Sequence, residues 1–172
     1  MFFYIFISFI ILQRLAELII AGRNEKSMLA KGAVEFDKDG YKFIVLMHAL
    51  FFVSLTSEKN FLNRGLNDYW IVLIILFALA QMLRYWSIIS LGEFWNTRII
   101  VLKGSKMIKK GPYKFLSHPN YTAVITEIAA IPLIFSCYIT AIVFSLLNLF
   151  TVRRRIAIEE AALKTLTAQN EN

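Results

Sequence analysis

The sequence predicts an all-α integral membrane protein with about five transmembrane helices, a C-terminal helical hairpin and a tail helix outside the membrane. Two compositional features and one pattern support this fold class. Hydrophobic residues make up 58% of the chain, charged residues make up only 18%, and the mean hydropathy is +0.58. Soluble domains usually carry about 25% charged residues. Long apolar runs alternate with basic loops, which indicates one membrane-embedded domain over residues 1–172.

The first three predicted spans are separated by polar loops. Residues 1–21 are almost wholly apolar, and about 20 residues at roughly 1.5 Å each cross a hydrocarbon core of about 30 Å. This stretch lacks a positive n-region and a small-residue cleavage site, which favours a retained helix over a signal peptide. A mixed-charge loop is predicted at 22–41, and further spans are predicted at 42–57 and 69–91.

The C-terminal part of the chain predicts a hairpin followed by a tail. The apolar run 121–152 is too long for one ordinary crossing and a little short for two. Pro132 and the Ser136-Cys137-Tyr138 break predict two short helices in a tight turn. These helices are expected at 121–136 and 138–152, and a partly amphipathic tail helix is expected at 153–168.

The distribution of basic residues predicts the orientation of the protein. Fifteen of the nineteen lysines and arginines lie in residues 22–42, 92–120 and 153–172, which the five-span arrangement places on one side. The positive-inside rule makes that side cytoplasmic, with the N-terminus outside the plasma membrane and the C-terminus inside. The net charge of +7 then indicates contact with membrane lipids of the inner leaflet and no nucleic-acid partner.

Polar residues inside the predicted spans also gather toward the cytoplasmic side. They are Arg14, Glu17, His48, Gln81 and Arg84. An ionised side chain costs about 2.5–3.5 kcal/mol at the centre of a bilayer unless it is paired, so such residues usually serve a function. The pattern favours a shared polar cavity that opens to the cytosol. The alternative is that Arg14 pairs with Glu17 one helical turn away while the arginines extend to the interface.

Several common kinds of site are absent from the sequence. No dinucleotide-binding glycine pattern, P-loop, Ser-based nucleophile elbow or zinc-protease motif occurs. With two histidines and one cysteine, no metal site is expected.

The stretch Lys109 to Glu127 carries the densest functional chemistry. Gly111-Pro112 predicts a turn, and Pro119 moves His118 out of helical dihedrals while itself suiting the first turn of a helix. The first N–H groups of that helix are then free to meet an anionic ligand group. The alternative is an ordinary interfacial loop with aromatic anchors.

These residues resemble the isoprenylcysteine carboxyl methyltransferase family. The shared pattern is Gly-Pro-Tyr, then His-Pro-x-Tyr, then Glu, and finally Arg-x-x-x-Glu-Glu-x-x-Leu. Here it falls on Gly111, Pro112, Tyr113, His118, Pro119, Tyr121, Glu127, Arg155, Glu159, Glu160 and Leu163. Ser117 stands where family members usually carry Arg, and Lys114 is a candidate replacement.

The resemblance implies an S-adenosyl-L-methionine-dependent membrane methyltransferase. The cofactor would lie in a cytosol-facing pocket between the loop 92–120, the hairpin and the tail. The implied cofactor-binding residues are Lys110, Gly111, Tyr113, His118, Tyr121, Glu127, Glu159 and Glu160. Bacterial members of this sort resemble enzymes that methylate lipophilic acids, including alkylpyrone enols. The acceptor is therefore expected to be a lipophilic or lipidated compound with a carboxylate or acidic enol oxygen.

Two catalytic candidates follow from position in the predicted spans. Arg84 or Arg14 is expected to steer the anionic head of the acceptor, while its tail enters sideways between helices. Two rival functions remain from the sequence. One is an NADPH-dependent membrane reductase with a similar loop, and the other is a small transport or scaffold subunit without enzymatic activity.

Overall fold

The computed structural model of the protein describes residues 1–104 and 108–168. Within these residues, five long helices form most of the structure, and a two-stranded ribbon joins two of the loops. The helices are α1 (Phe2–Ala30), α2 (Lys38–Phe61), α3 (Trp70–Leu91), α4 (Pro119–Ile134) and α5 (Tyr138–Ala168). The strands are β1 (Val34–Phe36) and β2 (Ile99–Val101). Part of the predicted loop 92–120, at residues 105–107, lies outside the described residues.

Three of the described helices are long and apolar enough to cross a membrane. They are α1, α2 and the segment Trp70–Phe94, which adds a short 3-10 turn to α3. Only 22%, 22% and 28% of their apolar windows are buried inside the protein, so most of this apolar surface faces outward. A surface of this kind is stable in lipid, and the protein is a membrane protein.

The helical hairpin is present, but its two apolar segments are short. Helix α4 has 16 residues, and the apolar start of α5 ends at Arg153, so each falls below the roughly 20 residues that a crossing requires. The predicted break coincides with the boundary between the helices, where Ser136 has a φ of 55° and the Cys137 N–H donates to the Pro132 carbonyl oxygen at 2.9 Å. Five crossings therefore stay a prediction, whereas the hairpin is observed.

The predicted tail helix is the second half of α5. No glycine or proline occurs between Tyr138 and Ala168, so nothing in the backbone interrupts the helix where Arg153–Arg155 begins. One rigid helix thus runs from the hairpin turn to the polar residues of the tail.

Helix α1 is longer than the sequence predicted. The expected loop 22–41 begins as helix, because residues 22–30 lack proline and contain several strong helix formers. Met28 continues the buried face and is only 1% exposed. The helix ends at Ala30, and Gly32 follows with a φ of 85°, a left-handed conformation that is common just after a helix.

The structure contains a ribbon of β1 and β2, which the predicted all-α fold did not include. The strands pair antiparallel, with Val34 opposite Val101 and Phe36 opposite Ile99. Arg98 reinforces the ribbon by donating to Glu35 at 2.8 Å. Strands of three residues are too short to show an alternating pattern in the sequence. The ribbon ties the loop between α1 and α2 to the loop between α3 and α4.

Polar contacts gather residues 22–37, 92–104, 108–118 and 153–168 at one end of the bundle, which we call the polar end. Arg154 on α5 donates to both carboxylate oxygens of Asp37, at 2.7 and 3.1 Å. Asn24 on α1 donates to the carbonyl oxygen of Trp95 at 2.8 Å. The remainder of the bundle holds the apolar core, which includes Ile10, Phe51, Leu55, Ile131, Ile134 and Phe135.

At the opposite end, a buried carboxylate stabilises the start of α5. Glu58 on α2 is 7% exposed and accepts hydrogen bonds from the backbone N–H groups of Ile139 and Thr140, at 3.1 and 2.7 Å. It also accepts one from the Thr140 hydroxyl at 2.7 Å. These N–H groups belong to the first turn of the helix and have no partner within it.

We expect Glu58→Ala to destabilise the protein by about 2 kcal/mol, because it leaves these buried donors without an acceptor. For a chain of this size the loss corresponds to a melting temperature lower by roughly 4–8 °C in detergent. Glu58→Gln is the matched control, since its amide oxygen keeps one acceptor, and it should lose less. Equal melting temperatures for wild type and Glu58→Ala would contradict the capping role.

Candidate functional site

The structure brings the predicted loop and the predicted tail together at the polar end. His118 precedes α4, and its Nε2 lies 3.4 Å from Oε1 of Glu160 on α5. Its Nδ1 lies 4.0 Å from Oε2 of Glu159. Tyr121, one turn into α4, donates its hydroxyl to Oε2 of Glu159 at 2.8 Å. We call the group of His118, Tyr121, Arg155, Glu159 and Glu160 the tail cluster.

Local helix geometry explains how the tail cluster forms. The hairpin sets α4 and α5 side by side, so the start of α4 lies next to the second half of α5. The rings of His118 and Tyr121 lie 5.5 Å apart between centroids. Arg155, one turn before Glu159, places its Nε 3.4 Å from the Tyr121 hydroxyl and donates from Nη2 to the Thr97 carbonyl oxygen at 2.9 Å. A spacing of four residues puts Arg155 and Glu159 on one helix face, and both contact the Tyr121 hydroxyl.

The start of α4 keeps its first-turn amides available. His118 occupies the N-cap position without a side-chain cap hydrogen bond, and Pro119 follows at the first helical position. The N–H groups of Asn120 and Tyr121 therefore point out of the helix end, where the helix dipole favours a negative group. Side-chain carboxylates and backbone donors thus meet within one small region.

The other predicted loop residues take different positions. Tyr113 is half-buried, and its hydroxyl shares a hydrogen bond with Ser87 on α3. Gly111 has a φ of 57°, and a Cβ at this position would overlap the Ser90 side chain, so Gly111 allows the turn to pack closely on α3. Lys110 is exposed. Their roles toward a cofactor stay predictions.

Glu127, which the resemblance also assigns to cofactor binding, lies deeper in the bundle. It is 3% exposed and accepts hydrogen bonds from Arg84 Nε at 2.8 Å, Arg84 Nη2 at 2.6 Å and Gln81 Nε2 at 3.1 Å. Arg14 also donates to it. Glu127 therefore has its partners on α1 and α3, and its predicted contact with a cofactor stays a prediction.

Glu127 is the centre of a second group, which we call the ionic cluster: Gln13, Arg14, Glu17, Gln81, Arg84 and Glu127. Arg14 donates to Glu17 at 2.5 Å, and Arg84 Nη1 lies 3.7 Å from Glu17. Two arginines thus face two glutamates, and the cluster has no net charge when all four are ionised. Arg14, Glu17, Gln81 and Arg84 lie together as predicted, and Arg14 pairs with Glu17. Arg84 is only 4% exposed and does not extend to the interface. His48, which was predicted to belong to the same group, instead has its Nδ1 2.9 Å from the Ile44 carbonyl oxygen on its own helix, and the shared polar cavity stays a prediction.

The two clusters are connected through Asn120. Its Oδ1 lies 3.4 Å from Arg84 Nη1, and it directly precedes Tyr121 of the tail cluster. Sequence reasoning did not select Asn120 or Gln13. The signal for Gln13 was its spacing of four residues from Glu17, which puts both on one face of α1. Asn120 had no comparable signal, because its partner lies on α3.

Comparison with known proteins identifies the family. A family model described as the isoprenylcysteine carboxyl methyltransferase family matches residues 72–165, which is more than half of the chain. The protein belongs to this family. The match confirms the resemblance given by the loop and tail motifs, and it includes α3, α4 and most of α5. Membership in the isoprenylcysteine carboxyl methyltransferase family, together with the three apolar helices, indicates a membrane methyltransferase.

Two bacterial relatives match nearly the whole chain. The protein is 41% identical over 162 residues to the uncharacterized protein YpbQ of Bacillus subtilis strain 168, covering 94% of this chain and 96% of the relative. It is 29% identical over 156 residues to an uncharacterized protein of Haemophilus influenzae, covering 89% and 90%. No solved structure matches the chain.

The ionic cluster predicts a large stability effect at Glu127. Glu127→Ala leaves two arginines without their shared carboxylate, and breaking a buried ion pair in this way costs about 3–5 kcal/mol. We expect a melting temperature lower by roughly 6–20 °C in detergent. Glu160→Ala removes a carboxylate that is half exposed and should change the melting temperature little. Similar losses for the two variants would contradict the central position of Glu127.

The buried position of Tyr113 predicts that its hydroxyl ionises at a higher pH than that of a free tyrosine. Burial raises the pKa of Tyr113 to about 12, and the charge of Glu159 adds to the increase. The hydroxyl is thus neutral at any ordinary working pH and does not act as a base. In an ultraviolet titration, the difference between wild type and Tyr113→Phe should show no phenolate at about pH 10, where a free tyrosine ionises. A step near pH 10 in that difference would show that Tyr113 is exposed to solvent.

Proposed function

We propose that this protein transfers a methyl group from S-adenosyl-L-methionine to a carboxylate or acidic enol oxygen of a lipophilic acceptor at the polar end of the bundle. The acceptor would be an isoprenylcysteine-like or an alkylpyrone-like compound. The observation that carries the proposal is the tail cluster, in which two carboxylates and two aromatic rings meet the start of α4.

The chemistry of the tail cluster fits this cofactor. S-adenosyl-L-methionine presents an ammonium, a sulfonium, ribose hydroxyls and a carboxylate. The side chains of Glu159 and Glu160 are 33% and 52% exposed, so they can accept from the ammonium and the ribose hydroxyls. The free amides at the start of α4 suit the carboxylate. The Tyr121 ring already interacts with one cation, because the Arg155 guanidinium lies 6.0 Å from its centroid.

The protein residues in this proposal bind and orient. When bound, the cofactor supplies an activated methyl group on a sulfonium, so the enzyme chiefly has to hold the acceptor oxygen in line at about 3–3.5 Å. Arg155 supports the cluster by fixing Tyr121 and Thr97. A carboxylate or acidic enol loses its proton easily, and no strong base is required for the transfer.

Arg14 and Arg84 enter the proposal as positioning residues. Both guanidinium groups are bonded to Glu127, and both lie close to Glu17, so their charges are already compensated. If Arg14 or Arg84 steers the head of the acceptor, as the sequence predicts, it would do so while still paired with these two carboxylates. Asn120 transmits their position to the start of α4, next to the tail cluster.

The proposed orientation places the polar end in the cytoplasm. Most of the lysines and arginines lie in the segments that form this end, which is the distribution that the positive-inside rule describes. The C-terminus would then be cytoplasmic and the N-terminus outside the plasma membrane. S-adenosyl-L-methionine would reach the tail cluster from the cytosol, and the acceptor would come from the membrane.

The decisive measurement is cofactor binding by purified protein in detergent. We expect S-adenosyl-L-methionine to bind and NADPH not to bind. Glu159→Gln should weaken binding about 10- to 100-fold, because a hydrogen bond to a charged group contributes roughly 1.5–3 kcal/mol. Glu93→Gln is the matched control, since Glu93 lies at the polar end but pairs with Lys31 outside the cluster.

Two outcomes would contradict the proposal. Binding of NADPH without binding of S-adenosyl-L-methionine would favour a reductase. Binding of neither compound would favour a protein without this enzymatic activity.

A further inference from the structure

A groove runs along the outside of the bundle between α1 and α3. Its volume is about 490 Å³, within the range of roughly 300–1,000 Å³ that small-molecule sites occupy. Phe9, Leu12 and Ala16 line one wall, and Tyr85 lines the other. Both helices belong to the three that are long and apolar enough to cross a membrane. The groove is therefore accessible to molecules dissolved in the lipid.

The polar residues of the groove come from the ionic cluster. Gln13 and Glu17 line it, whereas Arg14 and Arg84 are not part of its wall. Arg14, Arg84 and Gln81 direct their N–H groups at the carboxylates of Glu17 and Glu127. The face that the ionic cluster turns toward the groove thus consists of Gln13 and Glu17, and the positive charge lies behind it.

The hydrogen bonds of Gln13 and Glu17 leave acceptors available. Gln13 Nε2 donates to Gln81 Oε1 at 2.5 Å and to Glu17 Oε1 at 3.1 Å, which uses both amide hydrogens. Its Oε1 receives no hydrogen bond from the described residues. Glu17 accepts from Gln13 and Arg14, and a carboxylate has about four lone-pair sites. The polar part of the groove can accept further hydrogen bonds, and Gln13 has no donor left to give.

Electrostatics then select the head group of an occupant. Two arginines and two glutamates balance each other in the ionic cluster, so no spare positive charge compensates an incoming anion. An anionic head would also lie beside the Glu17 carboxylate at low dielectric, where repulsion between like charges is strong. A neutral head with an O–H donor avoids both costs and satisfies the free acceptors.

We propose that this groove binds the methyl acceptor as a neutral lipophile whose head hydroxyl donates to Glu17 or Gln13. The apolar tail lies along Leu12 and Phe9, and Phe9 is about 12 Å from Glu17 along the helix at 1.5 Å per residue. This inference rests on the proposed function and narrows its acceptor class. It favours acidic enols that enter in the protonated form over ionised carboxylates, and the hydroxyl proton would pass to the Glu17 carboxylate when the oxygen is methylated.

The test uses the protein in lipid nanodiscs and two probes whose alkyl tails differ by one carbon, para-dodecylphenol and dodecanoate, at about pH 8, where only the second is ionised. The phenol should bind, and dodecanoate should bind at least about tenfold more weakly. Ala16→Phe fills the groove from an exposed position and should weaken phenol binding at least about tenfold. Leu15→Phe is the matched control, because Leu15 is exposed on α1 but does not line the groove, and it should leave binding unchanged.

Binding of S-adenosyl-L-methionine by each variant serves as the folding control and separates the two proposals. If wild type binds S-adenosyl-L-methionine but dodecanoate binds as tightly as the phenol, the groove does not select a neutral head. If Ala16→Phe and Leu15→Phe bind the phenol equally, the groove is not its site. If wild type does not bind S-adenosyl-L-methionine, the proposed function fails instead, while the phenol measurement still reports on the groove.

Discussion

The ion pairs around Glu127 are the constraint on which the rest of the structure depends. Glu127 lies on α4, and its partners Arg14 and Arg84 come from α1 and α3. An unpaired charge in the membrane costs about 2.5–3.5 kcal/mol at the bilayer centre, so three helices that each carry such a charge are unstable apart and stable together. The ionic cluster therefore sets the relative rotation of these helices, since each must turn its charged residue inward.

That rotation also positions the groups at the polar end. With Glu127 turned toward α1 and α3, the start of α4 brings Asn120 to Arg84 and Tyr121 to α5. The middle of α5 is held independently, because Arg154 binds Asp37 and Arg155 binds the Thr97 carbonyl oxygen. The β1–β2 ribbon joins the loops that contain Asp37 and Thr97. The tail cluster thus forms where two separately anchored elements meet.

The sequence allowed prediction of features that depend on local chemistry. Pro132 and the residues after it marked the hairpin turn, and Pro119 lies in the first turn of a helix, as its residue type predicted. The extent of α1 beyond residue 21 and the continuity of α5 were missed, because a run of charged residues without proline can either continue a helix or form a loop. The β1–β2 ribbon could not be predicted, since two strands of three residues pair across about 65 positions of sequence.

The sequence predicted which residues form the candidate site better than it predicted how they are arranged. His118, Tyr121, Glu159 and Glu160 were selected from motifs and lie together, but Glu127 from the same motif lies in the ionic cluster. The sequence carries the residue types, whereas the partner of each charge depends on helix packing.

The separation of the charged residues into two clusters has a chemical consequence. The ionic cluster balances its own charges, while the two glutamates of the tail cluster remain partly exposed next to a single arginine and a histidine. A cationic ligand is therefore favoured at the tail cluster, and a neutral one at the groove beside the ionic cluster. One bundle thus offers a polar and an apolar reactant two different environments, and Asn120 connects them.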